Sequence, residues 1–361
     1  HSAVAASAAL FTFHYDPAMT AERLAIEHRF WGERFGKPLS RGGRPFANRP
    51  EPERRLRVGY VSPDFRQHPV AMFTAPVLAG HDREKVDVFC YASITREEAW
   101  TERVRKGTDH WRNVLGWSDG ELAAKVEADR IDILVDLSGH TAGNRLMAFA
   151  QKPAPVQVSW LGYFNTTGLA AVDYLVVDST LAPPDETCLF VEAPLRLPGA
   201  YLCYQLPDYA PAPRRAAGPW TYGCFNTISK ITPGVVDCWA RILRAQPEAR
   251  LLLKNSLLAE ERTRCLCRDQ FAQHGIEPDR VLLEGACTHA ELLGEYSRVD
   301  VALDPFPYNG GTTTCEALAM GVPVVSMRGD RFVSRVGATI LEHAGLPDCV
   351  VADEATYIDC A

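Results

Sequence analysis

The residues best placed to do chemistry lie in loops between apolar runs. Asn309-Gly310-Gly311-Thr312-Thr313-Thr314 follows the run Val299 to Leu303 and precedes Cys315-Glu316-Ala317-Leu318-Ala319-Met320. This reads as strand, glycine-rich turn and helix. The glycines let the backbone turn sharply and approach a ligand closely. The threonines fall in the first helical turn, whose N–H groups have no intrahelical acceptors. Such a helix start attracts phosphate. Glu316, one turn further on, is suited to accept hydrogen bonds from sugar hydroxyls such as those of a ribose. Lys230 precedes Ile231-Thr232-Pro233, a helix N-terminus with Thr232 as its cap. A cation opposes the helix dipole there unless an anion binds. Asn226 lies in the same loop.

Three histidines also end strand-like runs. His68 and His140 are candidate bases or sugar-binding groups. His289 is a candidate contact to a nucleotide base. Each taken alone is more often a hydrogen-bonded structural residue; two at strand ends of one domain strengthen the functional reading. Asp-x-Asp triplets are absent from the sequence, so a metal-bridged diphosphate is not expected. Lysine and helix N–H groups carry the leaving-group charge instead.

Positioning these loops takes two α/β domains. Strands are expected near 56–61, 86–92, 131–137, 156–160 and 174–177, then 221–225, 250–253, 281–283, 299–303 and 322–326, with helices between them. That alternation predicts mostly parallel sheets covered on both faces, with ligands at the strand C-termini. A chain of 361 residues also exceeds one ordinary core. The expected division is an entry segment at 1–53 with one helix from Tyr15 to Phe35, a first lobe at 54–206, a proline-rich linker at 207–219 and a second lobe at 220–361.

The net charge of −7 argues against nucleic acid as the main partner. No apolar run approaches the ~20 residues that span a bilayer, and no signal peptide is expected. The eleven cysteines are scattered without a Cys-x-x-Cys pair. That pattern fits reduced thiols in a cytoplasmic protein better than a zinc site.

Taken together, these loops resemble the catalytic half of the protein O-GlcNAc transferases, the family 41 glycosyltransferases, including SPINDLY-like members. The resemblance rests on Leu56-Arg57-Val58-Gly59-Tyr60-Val61-Ser62 with Asp64-Phe65 and His68-Pro69, and on Val88-Phe89-Cys90-Tyr91-Ala92. It continues through Pro153-Ala154-Pro155-Val156-Gln157, Trp160-Leu161-Gly162-Tyr163, Phe225-Asn226 with Lys230-Ile231, Asn309-Gly310 with Thr312-Thr313, and Ser334-Arg335-Val336. It implies two Rossmann-like lobes facing across a cleft, the GT-B fold, behind an N-terminal helical segment that ends a tetratricopeptide region. It further implies inverting, metal-independent transfer of N-acetylglucosamine from UDP-GlcNAc to Ser or Thr hydroxyls of protein acceptors, without a cofactor. By position, Lys230 neutralises the diphosphate, Thr312 and Thr313 donate to it, and Glu316 replaces an aspartate that holds the ribose. His289 stands where the family has a lysine beside the uracil. His68 matches an active-site histidine once proposed as the base, and His140 falls where animal enzymes have a tyrosine. Phe164-Asn165 replaces a Pro-Gly pair, and Gly311 replaces a histidine that stacks on the base. The alternatives are an O-fucosyltransferase or N-glucosyltransferase of the same family, or a non-catalytic nucleotide-sugar-binding scaffold.

Overall fold

The computed structural model describes residues 2–51 and 53–361, and the chain divides after Gln205 into two units. Each is built on a parallel sheet. In the first unit the strands are β1 (Leu56–Ser62), β2 (Val86–Ala92), β3 (His110–Asn113), β4 (Ile133–Asp136), β5 (Val156–Ser159), β6 (Tyr174–Val177) and β7 (Ala193–Arg196). Their order in space is β3-β2-β1-β4-β5-β6-β7, and every pairing is parallel. The second unit holds β8 (Thr221–Cys224), β9 (Arg250–Lys254), β10 (Val281–Glu284), β11 (Val301–Leu303), β12 (Val324–Met327) and β13 (Val350–Val351) in the order β10-β9-β8-β11-β12-β13, again all parallel.

Both orders contain a point where the chain reverses its direction of travel through the sheet. It falls between β1 and β4 in one unit and between β8 and β11 in the other. Loops leaving the two strands diverge there and leave a crevice at the strand C-termini. The loop after β1 carries His68, the loop after β4 carries His140, the loop after β8 carries Lys230, and the loop after β11 leads to Thr312. Within each unit, topology thus sets polar loops that are distant in sequence on the two strands flanking its reversal point.

The central strands are apolar along most of their length because helices cover both faces. Val88 to Ala92 and Leu251 to Leu253 are buried almost completely. The second core gathers Tyr222, Trp239, Phe271 and Tyr357 among the strands and helices. The helix Pro233–Ala245 starts as expected: the Thr232 hydroxyl accepts from Val235 N and Pro233 takes the first turn.

The entry segment differs from its expectation. Two helices form, α1 (Ala3–Phe13) and α2 (Ala21–Trp31), in place of one from Tyr15 to Phe35. α1 is rich in alanine and apolar all round, so it shows no amphipathic period to read. α2 is docked backbone to backbone. A Cβ on Gly32, just past its end, would lie 1.7 Å from the Gly168 carbonyl oxygen, so only glycine permits that approach. β3, β7 and β13 were also not expected; β13 is two residues long, and β3 (His110-Trp111-Arg112-Asn113) has no apolar run. Among the described residues no helix is long and apolar enough to cross a membrane.

Candidate active site

In the second unit, β11 ends at Leu303 and hands the chain to Asp304, which is buried. Its carboxylate accepts from Gly310 N at 2.6 Å and from the Ser326 hydroxyl at 2.6 Å. This ties the glycine turn to the sheet. A Cβ on Gly310 would stand 2.5 Å from Thr313 Oγ1 and 2.9 Å from Asp304 Oδ1, so glycine is required there by space. The helix Thr312–Ala319 then begins with no side-chain cap from Gly311, leaving its first N–H groups uncapped.

Lys230 belongs to the short turn Ile228–Lys230 after β8. Its ammonium donates to the Asn309 carbonyl at 2.7 Å and to Asn226 Oδ1 at 3.2 Å, and lies 4.1 Å from the centre of the Tyr308 ring. All these partners are neutral. Among the described residues no carboxylate comes within ion-pair distance. Burial pushes the ammonium below its usual range, and the charge of Asp304 opposes that shift. Burial likewise raises the Asp304 carboxyl, against the pull of Ser326, Gly310 and Lys230. A cation desolvated among neutral acceptors favours any anion that can reach it. Two further atoms await partners: Asn309 Oδ1 and Thr313 Oγ1 are buried without a hydrogen bond among the described residues. Asn226, Lys230, Asn309, Gly310, Gly311, Thr312 and Thr313 are therefore brought together by β8 and β11. Asp304, Tyr308 and Ser326 join them unforeseen. The sequence signal for Asp304 was present: a carboxylate directly after an apolar strand.

Glu316, one turn further along the same helix, meets His289. His289 Nε2 lies 2.8 Å from Glu316 Oε1, and both side chains are buried. The other ring nitrogen, Nδ1, is 2.7 Å from the Tyr209 hydroxyl. Both nitrogens of His289 are thus occupied, so its hydrogen bonds serve Glu316 and Tyr209 rather than a base.

In the first unit the two histidines part company. His68 caps the helix Pro69–Ala79, with Nδ1 accepting from Val70 N at 3.3 Å and Asp64 Oδ2 3.7 Å away. Its side chain is about one-third exposed, at 35%. Burial lowers its pKa, Asp64 opposes, and Arg66 adds to the lowering. Because Nδ1 accepts, the neutral ring carries its proton on Nε2. His140 is buried instead. Its Nε2 faces the Thr167 carbonyl at 2.9 Å and so carries the proton; Nδ1 accepts from the Ser7 hydroxyl at 2.9 Å. The expectation of a base at His140 does not survive this geometry, since no nitrogen is left to take a substrate proton. The ring packs instead at 4.7 Å from Trp31 and 5.2 Å from His28 and from Tyr163, centre to centre. It fastens α1 and α2 to the sheet.

Two Rossmann-like units, each on a parallel sheet with one reversal point, define the GT-B fold class. The chain belongs to glycosyl transferase family 41, whose model matches residues 43–209 and 203–361. It is 40% identical over 361 residues to a tomato (Solanum lycopersicum) protein named probable UDP-N-acetylglucosamine–peptide N-acetylglucosaminyltransferase SPINDLY, covering 98% of this chain and 39% of that one. It is 32% identical over 310 residues to the Arabidopsis thaliana relative SEC, named for the same activity, covering 81% and 31%. Among solved structures, a mutant of Thermobaculum terrenum O-GlcNAc transferase superposes with a TM-score of 0.95 at 41% identity, covering 99% of this chain and 69% of that one. Anabaena Alr3699/HepE, at 12% identity and a TM-score of 0.54 over 85% of this chain and 88% of that one, shares the fold alone. The chain thus spans about two fifths of the length of its SPINDLY relatives.

Proposed function

We propose that the chain transfers N-acetylglucosamine from UDP-GlcNAc to Ser or Thr hydroxyls of protein acceptors, with inversion and without a metal. The observation that carries this reading is Lys230: a desolvated ammonium held by neutral groups, beside the helix start at Thr312. A diphosphate there would take its charge from Lys230 and its hydrogen bonds from the uncapped N–H groups and Thr313 Oγ1. The acceptor oxygen attacks the anomeric carbon as UDP departs. Charge then grows on the leaving phosphate, so the attraction is larger in the transition state than in the ground state. Glu316 is assigned to the ribose hydroxyls. His68, with its proton on Nε2, is assigned as a hydrogen-bond donor, which leaves a donor phosphate oxygen as the acceptor of the hydroxyl proton. The free state of all eleven cysteines supports a cytosolic setting.

Calorimetric titration with UDP, GDP and UDP-GlcNAc in the presence of EDTA tests the reading. UDP should bind in the chelator, GDP should compete poorly, and sugar transfer to a Ser/Thr peptide should be unchanged by EDTA. A strict manganese or magnesium requirement, or preference for GDP, would overturn it.

A further inference from the structure

The proline-rich stretch expected as a free linker is part of the second unit. Leu206 and Ala210 pack against the core that includes Phe225, Leu293 and Ala317. The Ala210 N–H closes a turn onto the Pro207 carbonyl at 2.9 Å, and Ala216 N reaches Ser297 O at 2.7 Å. Tyr209 sits inside that turn, with its ring edge-on to His289 at 5.7 Å and 78°. The hydrogen-bond directions in this group follow by elimination. The Glu316 carboxylate can only accept when ionised, so His289 Nε2 donates to it. The neutral ring then has Nδ1 as acceptor, and the Tyr209 hydroxyl donates to it. The carboxylate thus fixes the tautomer, and the phenol anchors the other edge of the same ring.

We propose that Tyr209 is a positioning residue of the donor site. Through His289 it fixes the Glu316 carboxylate in the orientation that receives the ribose diol of a nucleoside diphosphate. This rests on the assignment of Glu316 to the ribose made above. In the chain Tyr209–His289–Glu316 the half-exposed phenol is the outer anchor of a buried histidine–carboxylate pair. Without the phenol hydroxyl, Nδ1 loses its partner and the ring is held at one edge only. The ring can then tilt, and the carboxylate that it orients tilts with it.

The test compares affinity for UDP with affinity for 2′,3′-dideoxy-UDP. Native protein should prefer UDP by about tenfold or more, a preference that Glu316→Gln should remove. Tyr209→Phe should lower UDP affinity by about fivefold while leaving dideoxy-UDP binding unchanged, so the ratio collapses with the melting temperature kept. In turnover it should raise KM for the donor and leave kcat close to native. His289→Gln, which retains a donor but not the ring, should lower the ratio as well, and serves if Tyr209→Phe folds poorly. Equal loss for both ligands in Tyr209→Phe, or an unaltered ratio, would overturn the role of Tyr209. Native protein that binds the two nucleotides equally would overturn the ribose assignment of Glu316, and with it the positioning role.

Discussion

The reversal points of the two sheets are alike in topology and opposite in chemistry. At the first, polar groups are plentiful and satisfied. Asp136 accepts from Ser138 N, Gly139 N and the Ser159 hydroxyl. Buried Glu192 takes Thr167 N and the hydroxyls of Thr166 and Thr167. His140 spends both nitrogens internally. At the second, an ammonium rests on neutral oxygens, two buried oxygens have no hydrogen bond among the described residues, and a helix begins uncapped. A polar residue at a strand C-terminus is thus only a candidate for function. What separates a site from a structural network is whether the protein already satisfies the group. His68, with Nε2 not engaged among the described residues, is the part of the first region that keeps capacity for a substrate.

The largest effect that would break this contrast concerns His140. If it is structural, His140→Ala leaves Ser7 Oγ and the Thr167 carbonyl unpaired and opens a cavity beside Trp31. Urea unfolding should show a loss of roughly 3 kcal/mol. UDP binding by the protein that remains folded should be native. A stable His140→Ala variant with sugar transfer abolished would return His140 to the active site.

A pH series sharpens the same point. Burial holds the His28 imidazole down at about 4, against 6.5 when unfolded, with its bond to the Leu24 carbonyl opposing. The unfolded ring takes up its proton first, so the contribution of neutral His28 is complete above pH 6.5 and is lost as pH falls toward 4. The limit is roughly 3 kcal/mol. Asp136 acts in the opposite sense: burial lifts its carboxyl to about 6, so acid relieves a penalty there, and buried Glu192, also raised, does the same. His140, lowered by burial and by its neighbour His28, loses with His28. Native stability alone therefore mixes signs. The difference in unfolding free energy between native protein and His28→Gln isolates the ring, and it should shrink between pH 6.5 and 4. A constant difference would mean that His28 is not buried in its neutral form.

Much of this was legible beforehand, for physical reasons. Asn309 to Thr314 announced itself because a glycine turn, a helix start and a preceding strand are local features. Lys230 announced itself because a cation at a helix mouth contradicts the dipole. The parallel sheets followed from the alternation of apolar runs and helices. The fate of His140 was hidden, because its partners Ser7 and Thr167 are 133 and 27 residues away. α1 was hidden because it is apolar all round and short of periodicity. Tyr209 was masked by its prolines, which read as linker while the segment in fact packs on its own unit.

The smallest expected effect lies in the second region. Thr313→Val removes a buried hydroxyl that has no hydrogen bond among the described residues. Stability should therefore stay within about 0.5 kcal/mol of native or rise, while UDP affinity falls several-fold. A stability loss above roughly 1 kcal/mol would show that the hydroxyl is satisfied inside the protein, and the contrast with the first region would weaken.

The central claim is that Lys230 is held in readiness for the charge of a departing diphosphate. Single-turnover sugar transfer by Lys230→Met, run beside thermal unfolding of the same sample, tests it most directly. Lys230→Met relieves the desolvation of the ammonium but leaves the Asn309 carbonyl and Asn226 Oδ1 without their donor, so the melting temperature should shift by only a few degrees. Transfer should slow by about two orders of magnitude or more, which corresponds to ~3 kcal/mol of barrier. Transfer at a near-native rate, or transfer lost only because the variant unfolds, would contradict the account.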